Sequence, residues 1–209
     1  MNPARTVVGG DFAFIRDSSA LVFVSERAGL FRVEHERFWK PGENPLRPGL
    51  VFREAMHEIE AWRAEALCCD IHYLASVYEV TEDSDVEVVE FPSSSDGIAK
   101  AFIRARVMLG AGRIDLSRAS PQLIAELKET TGKPTATGFQ ISHKRKAGSH
   151  GDAARAFVSG MYALEIAGSE AWQHDRGFSA GARRMDRSLR HVNSSDPGYL
   201  TDLPGEKYR

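Results

Sequence analysis

Three aspartates stand where secondary structure could bring them together. Asp11 closes the run "TVVGGD", Asp70 closes the apolar run "ALCCD", and Asp152 opens the helical stretch "DAARAFVSGMYALEIA". Carboxylates within a few ångströms of one another stay ionised only with a cation among them. Their hard oxygens favour Mg²⁺ or Mn²⁺. Two such ions roughly 3.5–4 Å apart form a clamp for phosphodiester hydrolysis, one activating water and the other steadying the leaving oxygen. Each acid also has an ordinary role open to it. Asp11 can be a turn residue after a strand, and Asp70 or Asp152 can cap the helix that follows. Asp17, in "IRDSS", reads as an Asx-turn residue, with a direct role at the metal as the alternative. His150 and His72 lie two residues from Asp152 and Asp70. Either can aid the metal or the leaving group, or sit on the surface. Two strand ends plus one helix start, more than any single residue, point to metal chemistry.

That arrangement needs a scaffold. Thr6 to Asp11, Ala20 to Ser25 and Leu30 to Phe38 read as three strands joined by short turns, hence antiparallel. After the loop "KPGENPLRPG", Val51 to Ala66 has helical spacing, with Val51, Phe52, Met56, Ile59 and Trp62 near one face. "ALCCD" is wholly apolar until its aspartate, which is the signature of a central parallel strand covered on both faces. A short helix to about Val80 and the strand "VEVVEF" follow. Then come a helix over Asp96 to Leu109, with Ile98, Ala101, Phe102, Ala105 and Met108 inward, and one over Ser120 to Thr130. In the latter Ser120 is the N-cap and Pro121 holds the first position. "TATGFQISHKRK" suits a hairpin or an extended arm. The expected product is an α/β fold with a mixed sheet, three antiparallel strands and then parallel ones, flanked by helices. In it the first and fourth strands are central neighbours. Asp11 and Asp70 then emerge side by side at the carboxyl edge, where open α/β sheets bind ligands.

Composition narrows the classes. The chain has 209 residues, 42% hydrophobic and 27% charged, with net charge −2. These values suit a globular α/β domain and give no overall basic bias toward nucleic acid. No stretch approaches the roughly 20 apolar residues of a membrane helix, and the N-terminus lacks an apolar signal core. The adjacent Cys68 and Cys69 read as small reduced core residues. Basic residues concentrate in "HKRK" (His143 to Lys146) and beyond Gly168, in Arg176, Arg183, Arg184, Arg187 and Arg190. Residues 169–209 form an Arg-rich tail expected to be irregular.

These segments resemble the nuclease domain of phage terminase large subunits. "VVGGDFAFIRDSSALVFV" is similar to that family's opening strand pair, and "ALCCDIHYLASVYE" to its fourth strand with the second acidic ligand. "SPQLIAELKETTG" and "SHGDAARAFVSGMYALEIA" resemble the last two segments. The resemblance implies an RNase H-like nuclease domain over residues 1–168 and metal-dependent cleavage of concatemeric viral DNA during packaging. Asp11, Asp70 and Asp152 would be the ligands of two Mg²⁺ or Mn²⁺ ions. Asp17 would be auxiliary and His150 a subsidiary aid. Arg16, Lys144, Arg145 and Lys146 would lie along double-stranded DNA. The implied partners are a portal protein and a small terminase subunit. The implied setting is the host bacterial cytoplasm, transiently at the procapsid portal, with no membrane. "IHYLAS" replaces the glycine-rich turn that many members carry after the second aspartate, and Gly151 stands where some carry a second acid. No G-x-x-x-x-G-K-[ST] is present, so the ATPase of full-length subunits is not expected here. The chain is then the nuclease part of a longer protein or a free-standing relative. Two other readings keep the residues and change the job. One is a junction resolvase or hybrid nuclease of the same fold; the other is a degenerate prophage domain that binds DNA or a portal protein.

Overall fold

A computed structural model of the chain describes residues 5–135, 138–143 and 151–167. The chain divides into two units, Met1–Ile166 and Ala167–Arg209. The described residues belong to the first, save Ala167.

Three β-branched and apolar runs make an antiparallel meander: β1 (Arg5–Asp11), β2 (Ser19–Arg27) and β3 (Leu30–Trp39). The β2–β3 turn is two residues long, Ala28 and Gly29, both at positive φ. That is the twist a two-residue hairpin requires. The run "ALCCD" forms β4 (Ala66–Asp70), parallel to β1 on its other side, with Gly9 opposite Cys68. β5 (Glu87–Phe91) is parallel to β4, and the two-residue β6 (Ile114–Asp115) is parallel to β3. The six-stranded order is β5-β4-β1-β2-β3-β6, so the expected mixed sheet with β1 and β4 adjacent is present. β6 has no counterpart in the sequence reading, because two residues are too few to show a period.

Helices cover both faces. α1 (Pro48–Ala61) and α2 (Leu74–Thr81) lie over one face. There Val51, Phe52, Ala55, Met56, Ile59 and Val77 form a core with Val8, Leu21, Phe23, Leu67 and Cys69. On the other face α5 (Asp152–Ala167) crosses β1 and β2 through Ala156 and Gly160. α3 (Ser95–Gly110) buries Ala99, Phe102, Ala105 and Met108, leaving Ile98 and Ala101 half-buried beside them. α4 (Pro121–Glu129) begins as expected, with Ser120 Oγ accepting from Leu123 N and Pro121 at the first position. Cys68 and Cys69 are buried free thiols. Burial pushes the Cys69 thiol up to about 12, so it stays protonated.

One expectation fails at a boundary. The helix placed over Val51 to Ala66 runs from Pro48 to Ala61 instead, and Ala66 already belongs to β4. Arg63 takes φ +50°. Arg63 N donates to Glu60 O and Ala64 N to Ile59 O, closing a Schellman-type cap with arginine where glycine is usual. Trp62, expected inward, is therefore the exposed cap residue and stacks on His35, with ring centroids 5.1 Å apart.

Of the two alternatives, hairpin or extended arm, the hairpin is present: among the described residues β7 (Thr131–Thr135) and β8 (Gly138–Ser142) pair as a separate two-stranded sheet.

Candidate functional site

The glycine pair in "VVGGD" explains how β1 delivers Asp11. A Cβ on Gly9 would collide with the Ala156 carbonyl, the Gly160 amide and the Ser159 hydroxyl. Only glycine lets α5 lie this close to the strand. Two residues further on, Asp11 leaves the sheet at the carboxyl end of β1. Asp70 does the same at the end of β4, the parallel neighbour.

Asp70 has two jobs. Its Oδ1 accepts from His72 N (3.1 Å), capping the 3-10 turn Ile71–Tyr73. Its Oδ2 accepts from Arg155 Nη2 at 2.5 Å. The cap and the contact with Arg155 therefore coexist. His72 itself is exposed, with Nε2 3.8 Å from Asp70 Oδ1.

Asp152 is buried and is the first residue of α5. The carbonyl of Gly151 (φ +90°) accepts the first helical bond, from Arg155 N at 2.8 Å. Glycine in that position has no side chain to offer the next amides. The missing acceptor comes from α4: Glu126 Oε2 takes the Ala154 N–H at 3.0 Å. Glu126 is itself buried, and Gln122 Nε2 donates to its other oxygen at 2.9 Å. A carboxylate at a helix N-terminus also meets the favourable end of the dipole.

Arg155 completes the cluster. It follows Asp152 by three residues and so shares its helical face. Its Nε lies 3.9 Å from Asp11 Oδ1 while its Nη2 holds Asp70. Burial pushes the Asp11 carboxyl up to about 7; Arg155 opposes this, and Asp152, Asp70 and Glu126 each add to it. Asp70, Asp152, Glu126 and Arg155 thus all lie near enough to Asp11 for their charges to act on it. Asp17 is half-buried in the β1–β2 loop. Arg16 is exposed in the same loop. His150 and Lys144, Arg145 and Lys146 lie outside the described residues. His143 is described. It turns inward from the end of β8, with its ring 5.6 Å from that of Phe102 and Nδ1 3.1 Å from Thr130 Oγ1.

An aromatic group walls the site beyond Asp11. Phe12, Phe14, Phe52 and Tyr73 pack at centroid distances of 4.9 to 6.4 Å. Burial, then Asp11 and Asp70, push the Tyr73 hydroxyl pKa up, so Tyr73 remains a neutral hydrogen-bonding group beside the acids.

The donor chemistry, two carboxylates at adjacent strand ends with the charge of a third at a helix start acting on one of them, suits a divalent cation. Yet among the described residues no group of three His, Cys, Asp or Glu converges closely enough to hold a metal ion. The cation now paired with Asp11 and Asp70 is the protein's own guanidinium. No helix among the described residues is long and apolar enough to cross a membrane.

No family model matches the chain, and no curated protein matches it. Solved structures do. The fold is shared with the HK97 bacteriophage large terminase, at TM-score 0.64 and 16% identity over 78% of this chain. This chain spans 40% of that protein's length. The Thermus phage P74-26 large terminase nuclease domain matches at TM-score 0.57 and 14% identity, covering 75% of this chain and 78% of that one. The large terminase nuclease from thermophilic phage G20c with bound magnesium matches at TM-score 0.55 and 13% identity. It covers 78% of this chain and 82% of that one. The same nuclease also matches in a form with bound cobalt.

Proposed function

We propose that this chain is a divalent-metal-dependent DNA endonuclease acting in phage genome packaging, the nuclease part of a terminase large subunit. The observation that supports it best is the juxtaposition of Asp11 and Asp70 at adjacent parallel strand ends, with Asp152 brought to them by α5. It occurs on a fold shared with terminase nucleases, one of which is known with bound magnesium and with bound cobalt.

Asp11, Asp70 and Asp152 would hold the metal, two ions of Mg²⁺ or Mn²⁺. Bound there, such ions supply Lewis acidity to a phosphodiester and lower the pKa of a water. The chain's own residues do the rest. Glu126 fixes the start of α5 and with it the height of Asp152. The aromatic wall of Phe12, Phe14 and Tyr73 limits water on one side. Arg16, Lys144, Arg145 and Lys146 bind phosphates flanking the cut, giving salt-sensitive binding with little sequence preference. Asp17 serves as an auxiliary acid and His150 as an aid to the leaving group. A portal protein and a small terminase subunit are the expected partners, in the host cytoplasm.

Incubating supercoiled plasmid with Mn²⁺ or Mg²⁺ tests this. Nicking and linearisation are expected, with little preference for branched DNA, and Asp11→Ala should lower the rate on the order of 1,000-fold. Silence under every divalent metal would remove the enzymatic reading. Cleavage that survives Asp11→Ala would remove the site assignment, and a strong preference for branched DNA would move the reading to a resolvase.

A further inference from the structure

Arg155 lies where the acids would otherwise meet a metal. Its guanidinium bridges the ends of two strands, with Nη2 2.5 Å from Asp70 Oδ2 and Nε 3.9 Å from Asp11 Oδ1. The side chain is 32% exposed, and its guanidinium carbon lies 6.0 Å from the centre of the Phe91 ring. The side chain is therefore partly open to water and has an aromatic face to lean on. With it in place, no three carboxylates among the described residues close on a common point.

We propose that Arg155 is the pocket's own counter-ion, holding Asp11 and Asp70 together in the metal-free protein and withdrawing from them when a divalent ion binds. The inference rests on the metal-dependent nuclease reading. Two cations cannot share the same carboxylate oxygens, because like charges a few ångströms apart repel strongly near a protein surface. One must leave, and the guanidinium has a solvent-side path. On that side its fork matches a phosphodiester oxygen pair better than any other group DNA offers. Metal entry and phosphate capture then favour each other, since coupling between two ligands is reciprocal. The rival role is a fixed strut, in which Arg155 orients the carboxylates and stays put.

The two roles predict opposite signs. Full-length wild type, Arg155→Gln and Arg155→Met are titrated with Mn²⁺ alone by calorimetry, and each melting temperature is read with and without Mn²⁺. Displacement predicts that both variants melt lower than wild type without metal. It also predicts Mn²⁺ binding tighter by on the order of tenfold or more, the scale of removing one competing charge, and a larger rise in melting temperature with Mn²⁺. A folded variant that binds Mn²⁺ no more tightly than wild type overturns the proposal. Should both variants fail to fold, the ¹⁵N-Nε signal of Arg155 in wild type decides: it must shift on Mg²⁺ saturation, and a fixed signal overturns the proposal. If wild type binds Mn²⁺ in a way that Asp11→Asn abolishes, the metal reading stands whatever Arg155 does. If no protein shows such binding, the metal reading falls and takes this inference with it.

Discussion

The six-stranded sheet and the β7–β8 hairpin are paired by the same backbone hydrogen bonds but treat water in opposite ways. In the sheet, Val7, Val8, Leu21, Val22, Phe23, Val24, Leu67 and Cys68 are all at most 1% exposed. Helices clamp both faces, and β1 touches α5 so closely that Gly9 cannot carry a side chain. In the hairpin every residue of β7 is exposed, and Phe139 on β8 is 48% exposed. A two-stranded ribbon is marginal alone; here β8 runs beside α3, and His143 docks on Phe102 at its base. Asp11 and Asp70 thus end strands packed on both faces, whereas the hairpin presents the whole of β7 to water.

The comparison breaks first at Gly9. Gly9→Val should destabilise the fold by more than about 3 kcal/mol, because α5 would have to move off the sheet. Chemical denaturation would show it, and a loss below 1 kcal/mol would mean that the β1–α5 contact is looser than described. Next comes the buried cap. Glu126→Leu strands the Ala154 amide and should cost about 1–3 kcal/mol, whereas Glu126→Gln, which keeps an acceptor oxygen, should cost less. Equal melting temperatures for the two would refute the capping role.

The hairpin's root offers a smaller, pH-dependent effect. Burial is the main cause holding the His143 pKa below its usual 6.5, with Arg155 acting the same way and Glu126 opposing. The unfolded chain therefore takes up that proton first as pH falls. Stability should drop as pH goes from about 6.5 down through the lower folded value, and stay level above. His143→Phe should flatten this slope in melting curves between pH 7.5 and 5.5; an unchanged slope would place the titration elsewhere. Smallest of all is Lys133 on β7. Lys133→Ala should leave stability within about 0.5 kcal/mol. If the hairpin meets DNA phosphates, it should lower the salt dependence of DNA binding by about one counterion. An unchanged salt slope would exclude the hairpin from the DNA path.

Much of this was readable in the residues, and the exceptions share a cause. "ALCCD" has no polar face, so it had to be central, and that alone put Asp70 beside Asp11. Ser120-Pro121 marked the start of α4 by local chemistry. Arg155 and Glu126 were missed because a charged residue in an amphipathic helix usually faces water. Arg155 could have been found from its spacing of three after Asp152. Glu126 could have been found from its spacing of three after Leu123, which is fully buried. The end of α1 was misplaced because Arg63 adopts a backbone conformation that its residue type rarely takes. Asp152 looked like a cap by type and position. Only the tertiary structure reveals that a carboxylate from another helix does that work.

The intimate seat of α5 on Gly9 also sets a birth order. One wall of the acidic pocket is written into the first dozen residues, and the helix that completes it is translated about 140 residues later. A ribosome-bound chain can pair its early strands, but it cannot close this contact until Gly160 has emerged. Any capacity to cut nucleic acid would therefore wait for the last helix of the pocket to be made.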